Sequence, residues 1–170
     1  MKKIFTYSIV AFLSILCFSS FVKSYLAKPS VLDMSGYILY NEKKVEGALV
    51  KLYENNVIVN KMQTKANARF RFMLFSNNEY MIEVSKQGFM DERVYINTKT
   101  NADLLDKYFF EFIVDLVDEN KYKNVDASSL DFPTAIIKYD AGEDDYVHDK
   151  GYSQQVRNDL KKLNEQINKK

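Results

Sequence analysis

The stretch from Arg69 to Phe75 reads R-F-R-F-M-L-F, and it places large apolar side chains at every second residue. Successive side chains of a β-strand point to opposite faces of a sheet, whereas a helix needs apolar residues three and four apart. Phe70 and Phe72 therefore share one face of a predicted strand. The same period in Ala48–Tyr53 and Glu79–Ser85 predicts two more strands, so this part of the chain is expected to be a sheet.

Asparagine pairs lie between the predicted strands. Asn55-Asn56 separates Ala48–Tyr53 from Val57–Met62, and Asn77-Asn78 separates Arg69–Phe75 from Glu79–Ser85. Asparagine tolerates the left-handed backbone of tight hairpin turns. The pattern therefore predicts two β-hairpins within one antiparallel sheet.

Further strands flank this region. The first is expected from about Val31 to Tyr40, where Gly36 indicates a bulge or a close approach of two backbones. Tyr108–Val117 is apolar on much of both faces, which favours a place at the centre of a sheet or under a covering segment. Pro133 precedes another apolar run that ends at Asp140, and this run is expected to add an edge strand because proline cannot donate to a ladder.

Composition limits the classes of function. The chain has 170 residues, enough for one ordinary domain with small additions, and its 24 Lys and Arg balance 23 Asp and Glu. Such a balance gives no broad field that would favour nucleic acid. Cys17 is the sole cysteine and His148 the sole histidine. With no clustered glycines and no recognised nucleophile or zinc pattern, the sequence predicts no catalytic, cofactor-binding or metal-binding residues and a protein that is not an enzyme.

The N-terminal 24 residues are typical of a secretory signal. Lys2 and Lys3 precede an apolar core from Ile4 to Val22, and cleavage is expected after Ser24. The alternative is an uncleaved anchor, because the core is nearly long enough to span a bilayer. In either case the chain is expected to be exported, to the periplasm or the outer membrane, and to touch a membrane only if this segment is kept.

The C-terminal segment Tyr152–Lys170 has a helical period. One apolar stripe is surrounded by charged residues, with Ser153 as the expected N-cap. Either the helix docks on its own domain or it binds a partner. The stripe consists of Val156, Leu160, Leu163 and Ile167.

Several segments together resemble the carboxypeptidase regulatory-like domain. They are Ser35–Ile38, Val45–Leu52, Phe70–Phe72 and Tyr80–Phe89, with Gln63-Thr64 between the second and third. The family pattern has a Gly in the first strand, G-A-x-V-x-L in the second, a T-D-x-x-G-x-F turn and a Y-x-I-x-V-x-K-x-G-[FY] close. The chain departs at the turn, because it lacks the Asp and the Gly of that motif.

This resemblance implies a transthyretin-like, prealbumin-like β-sandwich that serves as a binding or scaffolding module of a bacterial cell envelope, without peptidase activity. The expected fold is thus an all-β, antiparallel sandwich of about seven strands with a C-terminal amphipathic helix. The expected layout is a signal peptide over 1–24, the sandwich over 25–117, an extension with an added strand and an acidic loop over 118–151, and the helix over 152–170.

Three groups of residues are candidates for binding. The acidic loop Glu143–Asp149 contains hard ligands and His148, but it lacks EF-hand spacing, so a solvated turn is favoured over an ion site. Arg69 and Arg71 alternate with phenylalanines, which strand alternation explains better than a stacking surface for single-stranded nucleic acid or sugars. Exposed tyrosines offer a glycan platform: Tyr37, Tyr53, Tyr95 and Tyr108.

The leading hypothesis is therefore an exported module that binds or scaffolds another envelope protein through a sheet edge or its helix. The segments Leu130–Pro133 and Ile137–Asp140 are also similar to tails of small envelope proteins of gliding and type IX secretion, which suggests a secretion-related or gliding-related assembly. The alternative is a carbohydrate-binding or peptidoglycan-binding module. No cofactor is expected.

Overall fold

The structure is a computed structural model that describes residues 30–100, 107–123 and 131–168. The predicted signal segment 1–24 and the sole cysteine lie outside the described residues. Two β-sheets pack face to face and one helix follows them, which confirms the predicted all-β sandwich with a C-terminal helix. The strands are β1 (Ser30–Tyr40), β2 (Lys43–Lys44), β3 (Leu49–Glu54), β4 (Val57–Gln63), β5 (Arg69–Phe75), β6 (Glu79–Ser85), β7 (Glu92–Asn97), β8 (Tyr108–Asp115), β9 (Ala135–Asp140) and β10 (Asp145–His148).

A short 3₁₀ helix spans Glu119–Tyr122, and the C-terminal helix α1 spans Lys150–Asn168. Helix α1 begins two residues earlier than expected, and its N-cap is Asp149 rather than Ser153. The Asp149 carboxylate accepts a hydrogen bond from the Tyr152 amide at 3.0 Å. Within the described residues, no helix combines the length and the apolar character that a membrane span requires.

Sheet A places β1 between β5 and β8, and β2 extends it past the end of β5. Sheet B has the order β10-β9-β7-β6-β3-β4. The core lies between the sheets, where inward side chains from both are buried. Fully buried members on sheet A include Leu32, Met34, Ile38, Phe70 and Leu74, and those on sheet B include Val50, Ile82, Val84, Ile96 and Ile137.

The predicted purely antiparallel pairing is wrong at two places. β1 pairs with β8 in parallel, and β7 pairs with β9 in parallel, so both sheets are mixed. The members of each parallel pair are far apart in the chain: β2 to β7 lie between β1 and β8, and β8 lies between β7 and β9. Parallel neighbours require crossover connections, whereas two-residue turns join antiparallel ones.

One of the two expected hairpins is present. Asn55 and Asn56 have φ angles of 48° and 66°, and they join β3 to β4 as an antiparallel pair. Successive positive φ angles are typical of the type I′ turn, whose twist matches that of the strands.

The hairpin expected at Asn77-Asn78 is wrong, because β5 belongs to sheet A and β6 to sheet B. Asn77 has the left-handed backbone, but the turn carries the chain across the core. Thr98 at the end of β7 fixes this crossing: its hydroxyl accepts from the Asn78 amide at 3.0 Å and lies 2.7 Å from the Phe75 carbonyl, to which it can donate. A turn residue therefore determines where the chain reverses, but it does not determine which strand the next segment pairs with.

β8 was expected at the centre of a sheet or under a cover, and it is instead an edge strand of sheet A. Phe112 and Val114 face the core, while Phe109 and Ile113 are 67% and 62% exposed on the outer face. The apolar character of both faces therefore does not reflect burial on both faces. The outward residues leave apolar surface at the edge of the sandwich.

Arg69 and Arg71 point out of sheet A while Phe70 and Phe72 are buried, as strand alternation predicts. Arg71 donates two hydrogen bonds to the buried carboxylate of Asp33, and Lys107 lies 3.0 Å from the same carboxylate. The hydrogen bond from Arg71 is the largest of the contributions that hold the pKa of Asp33 far below its usual range, against the effect of burial. This cluster joins β5, β1 and the start of β8 across the outer face.

Gly36 of β1 lies opposite Phe112 in the parallel pair with β8. A Cβ atom at Gly36 would lie 2.6 Å from the carbonyl oxygen of Phe112 and 2.6 Å from the Phe70 ring. Real carbon atoms do not approach backbone oxygen so closely. The close approach expected from the sequence is therefore present, and a side chain here would push two strands apart.

We expect Gly36→Ala to lower the free energy of unfolding by about 3 kcal/mol, because overpacking forces backbone shifts. Urea denaturation followed by circular dichroism measures the change. Gly142→Ala is the matched control, since the nearest atom to its Cβ would be a side-chain oxygen of Asp140 at 3.2 Å rather than backbone at 2.6 Å. Equal stability of the two variants would contradict the close contact between β1 and β8.

Candidate functional site

A groove lies along the free edge of β8. On the β7–β9–β10 side of sheet B, β8 packs over the β9–β10 hairpin near its start, where Tyr108 contacts Tyr139 and Tyr146 and Phe110 contacts His148. Helix α1 crosses this side, and a groove of about 950 Å³ remains between β8, the starts of β7 and β9, and α1. That volume lies in the range of known ligand sites. Apolar side chains form much of the lining: Met90, Val94, Phe112, Ile113, Val114, Val117, Ala135, Val156 and Leu160.

Glu92 brings a carboxyl group into this groove. It lies on β7 two residues before the buried Val94, and so on the inward face of the strand. Burial is the largest of the causes that together raise the pKa of Glu92 to about 7; a hydrogen bond from Thr134 acts in the opposite direction, and the charge of Asp115 acts in the same direction as burial. A carboxyl group with such a pKa changes its charge near neutral pH, so the groove has a titratable group.

Asp115 lies across the groove at the end of β8. Among the described residues, no lysine or arginine forms an ion pair with Glu92 or Asp115. The other charged groups of the groove have their own partners: Asp91 with Arg93 at 3.9 Å, Glu111 with Arg69 at 3.2 Å, Lys150 with Glu143 at 3.1 Å, and Arg157 with the Gln154 amide at 3.0 Å. Glu92 and Asp115 therefore form an acidic pair without a cation in the described part of the chain.

Three tyrosines form a second cluster beside the groove, between the start of β8 and the β9–β10 hairpin. The rings of Tyr108, Tyr139 and Tyr146 contact each other edge to face, with centroids 5.6–5.7 Å apart. The Asp144 carboxylate accepts hydrogen bonds from Tyr139 at 2.5 Å and from Tyr108 at 3.2 Å. Rings this close to each other leave no space between them for a ligand, so the cluster serves packing.

Tyr146 is the deepest member of this cluster. It is 2% exposed, and its hydroxyl has no hydrogen-bond partner in the described structure. Burial raises its pKa to about 12. A phenol with such a pKa stays neutral at physiological pH, so Tyr146 adds no charge to the region.

The carboxylates of the acidic loop Glu143–Asp149 each contact a different partner and do not converge. Glu143 pairs with Lys150, Asp144 accepts from two tyrosines, and Asp149 caps α1 and pairs with Lys138 at 2.7 Å. No three histidine, cysteine or acidic side chains converge on a common point anywhere in residues 30–100, 107–123 and 131–168. The His148 ring packs edge to face on Phe110 with centroids 5.2 Å apart, and partial burial lowers its pKa.

The four tyrosines considered as a glycan platform lie in three places. Tyr37 is on the outer face of sheet A, where Arg69 covers its ring at 5.4 Å. Tyr53 and Tyr95 flank Met81 on the outer face of sheet B, and Tyr108 belongs to the tyrosine cluster. The structure therefore does not bring them together on one surface.

β4 is the other notable surface, and sequence reasoning missed its exposure. It forms the outer edge of sheet B, with no strand beside it on that side among the described residues. Val57, Ile58 and Val59 are 64%, 50% and 49% exposed. The alternation that predicts one buried face does not apply, because β4 extends beyond the area that sheet A covers. An exposed apolar edge is unusual, since proteins commonly protect such edges.

Comparisons with known proteins identify no relative by sequence. No family profile matches the chain, and no curated protein matches it. Among solved structures, catechol 1,2-dioxygenase from Pseudomonas arvilla C-1 is 11% identical, with a TM-score of 0.41, over 55% of this chain and 54% of that chain. 3-Chlorocatechol 1,2-dioxygenase from Rhodococcus opacus 1CP is 8% identical, with a TM-score of 0.39, over 52% and 60%.

A third similar structure is catechol 1,2-dioxygenase from Acinetobacter sp. ADP1 inhibited by bound mercury, at 13% identity and a TM-score of 0.41 over 56% of this chain and 55% of that chain. The chain thus spans little more than half the length of these proteins. The expectation that the protein is not an enzyme is contradicted by these neighbours, which are enzymes, and it is withdrawn. The similarity is too slight to transfer any activity to this chain.

We expect the contribution of Glu92 to the stability of the protein to fall as pH rises from about 4.5 to about 7, because Glu92 binds its proton more tightly in the folded state than in the unfolded state. Glu92→Gln removes this ionisation. The free energy of unfolding of the variant, relative to that of the wild type, should therefore be about 2 kcal/mol higher at pH 8 than at pH 4.5. Urea denaturation at both pH values measures the difference.

Glu165→Gln, an exposed position on α1, is the control and should show no such pH-dependent gain. If Glu92→Gln differed from the wild type by the same amount at both pH values, Glu92 would not ionise in this pH range. The assignment of its titration to the groove would then be wrong.

Proposed function

We propose that the protein is an exported β-sandwich of the carboxypeptidase regulatory-like type that binds an extended segment of another cell-envelope protein at the edge of β4. The exposed apolar edge of this strand is the observation that carries the proposal. A partner strand at this edge would continue sheet B and cover the three apolar side chains. Addition of a strand to an exposed sheet edge is a common way of binding peptides.

The hydrogen-bonding groups of β4 suit such a partner. Thr64 donates its amide to the Ala48 carbonyl at 2.9 Å, and Leu52 and Val50 lie opposite Asn60 and Met62. Because backbone groups of an antiparallel strand alternate in direction, the groups of Lys61 and Gln63 point away from β3. These donors and acceptors are available to a partner strand.

Charge on the edge also favours specific pairing over self-association. Lys61 lies on β4 opposite Lys51 of β3, and Lys51 forms an ion pair with Glu83 at 2.9 Å. Lysine on an edge strand opposes uncontrolled pairing between copies. A partner with an acidic residue opposite Lys61 would gain an attraction there.

The experiment is photo-cross-linking from Val57 in an envelope extract of the organism that encodes the protein. A photoreactive residue at Val57 should yield one stoichiometric protein adduct. The same residue at Phe132, which is 69% exposed away from β4, is the control and should yield none. A glycan and peptidoglycan panel should give no binding.

The double variant Ile58→Lys and Val59→Lys should weaken binding of that partner by about tenfold or more, since it places two charges in the interface. Its stability should change by less than about 0.5 kcal/mol, because both side chains are at the surface. Unchanged partner binding by a folded double variant, or binding to the glycan panel without a protein adduct, would contradict the proposal.

A further inference from the structure

The free edge of β8 faces the groove. The Leu116 amide donates to the Leu39 carbonyl of β1 at 2.8 Å, and the Val117 carbonyl accepts from the Met90 amide at 2.9 Å on the opposite side of the strand. Since the backbone groups of successive residues in a strand point to alternate sides, those of Glu111, Ile113 and Asp115 point away from β1. In the described structure, no strand pairs with them.

Three properties thus coincide in one place. The groove provides apolar side chains from both sheets and α1, and the edge of β8 provides backbone donors and acceptors that no strand of the described residues pairs with. Asp115 and the ionised form of Glu92 provide negative charge, with no lysine or arginine of the described residues paired to either. Backbone donors and acceptors at the spacing of a strand match an extended polypeptide. The acidic pair in turn favours a basic side chain on that polypeptide.

We propose that the groove beside β8 binds an extended segment of a partner polypeptide that carries a lysine or arginine. The segment pairs with β8 at Glu111, Ile113 and Asp115, and its basic side chain faces Glu92 and Asp115. Its apolar side chains on the same face cover the groove. This surface is separate from β4 and gives the protein a second, charge-selective site for an extended segment.

The other charged groups that line the groove are the acids Asp91 and Glu111 and the cations Lys150 and Arg157. Arg93 and Arg69 pair with the two acids, Glu143 pairs with Lys150, and Arg157 donates to the neutral amide of Gln154. Neither Lys150 nor Arg157 forms an ion pair with Glu92 or Asp115 in the described structure. A lysine or arginine from the partner therefore fills a role that the described residues leave open.

The test uses two nine-residue peptides, Ac-STVTKTVTS-NH2 and Ac-STVTETVTS-NH2, titrated into ¹⁵N-labelled protein. The lysine peptide should bind about tenfold or more tightly than the glutamate peptide and should shift the amide signals of Glu111, Ile113 and Asp115. Methylation of alternate backbone nitrogens in the lysine peptide should abolish binding, because strand pairing needs those donors.

The double variant Glu92→Gln and Asp115→Asn should reduce the preference for lysine to about twofold or less. A matched double variant at exposed acids outside the groove, Glu46→Gln and Glu165→Gln, should keep it. The β4 double variant, Ile58→Lys and Val59→Lys, should also keep it. Failure of this site and failure of the β4 site are thereby distinguished.

Equal affinities for the two peptides, or no binding up to about 5 mM, would overturn the proposal. Loss of peptide binding in the β4 double variant would also overturn it, because the peptide would then occupy β4. A fourth contrary result is binding of n-octylamine, but not of the lysine peptide, with loss in the Glu92 and Asp115 variant. The groove would then be a site for small amines.

Discussion

The burial of β1 on both of its faces is the constraint on which the rest of the structure depends. Its inward side chains Leu32, Met34 and Ile38 are fully buried in the core, and on its outer face Asp33 is almost as inaccessible. β1 holds an antiparallel neighbour on one side and a parallel one on the other. Because Gly36 has no side chain, β1 pairs with β8 directly beside the Phe70 ring.

The two ends of sheet B meet sheet A differently. At one end, β4 is the edge strand and exposes valine and isoleucine side chains. At the other end, β8 packs on the β9–β10 hairpin near its start, and the groove lies between β8, the starts of β7 and β9, and α1, with Glu92 and Asp115 among its lining residues. Different residues therefore form the two proposed surfaces.

Much of the fold follows from the sequence because strand alternation and asparagine turns act locally. The strands β1, β3, β4, β5 and β6, the β3–β4 hairpin, the inward Phe70 and Phe72, and the close contact at Gly36 are all predicted by short-range pattern, whereas the short β2 is not. Short-range pattern does not predict pairing between strands that are far apart in the chain. No local signal indicates that β8 joins β1 in parallel or that the turn at Asn77 leads into the other sheet. Thr98, which clasps that turn, lies 20 residues from Asn78 in the chain.

The groove could not be found from the sequence for the same reason. Glu92 follows a turn and looks like one more solvated acid, and its burial depends on β8, on Thr134 and on α1, which are distant in the chain. The exposed apolar residues of β4 gave a misleading signal, because period two indicates faces but not whether a second sheet covers them. A pattern of this kind predicts burial only where the opposite sheet is wide enough.

The parallel pairing of β1 with β8 is tested most directly by backbone nuclear Overhauser contacts in isotopically labelled protein. The account predicts contacts that advance together along both strands, with Met34 near Phe110 and Ile38 near Val114, and a Leu116 amide protected from hydrogen exchange. Contacts in the reverse order, or a continuous ladder between β5 and β6, would contradict it.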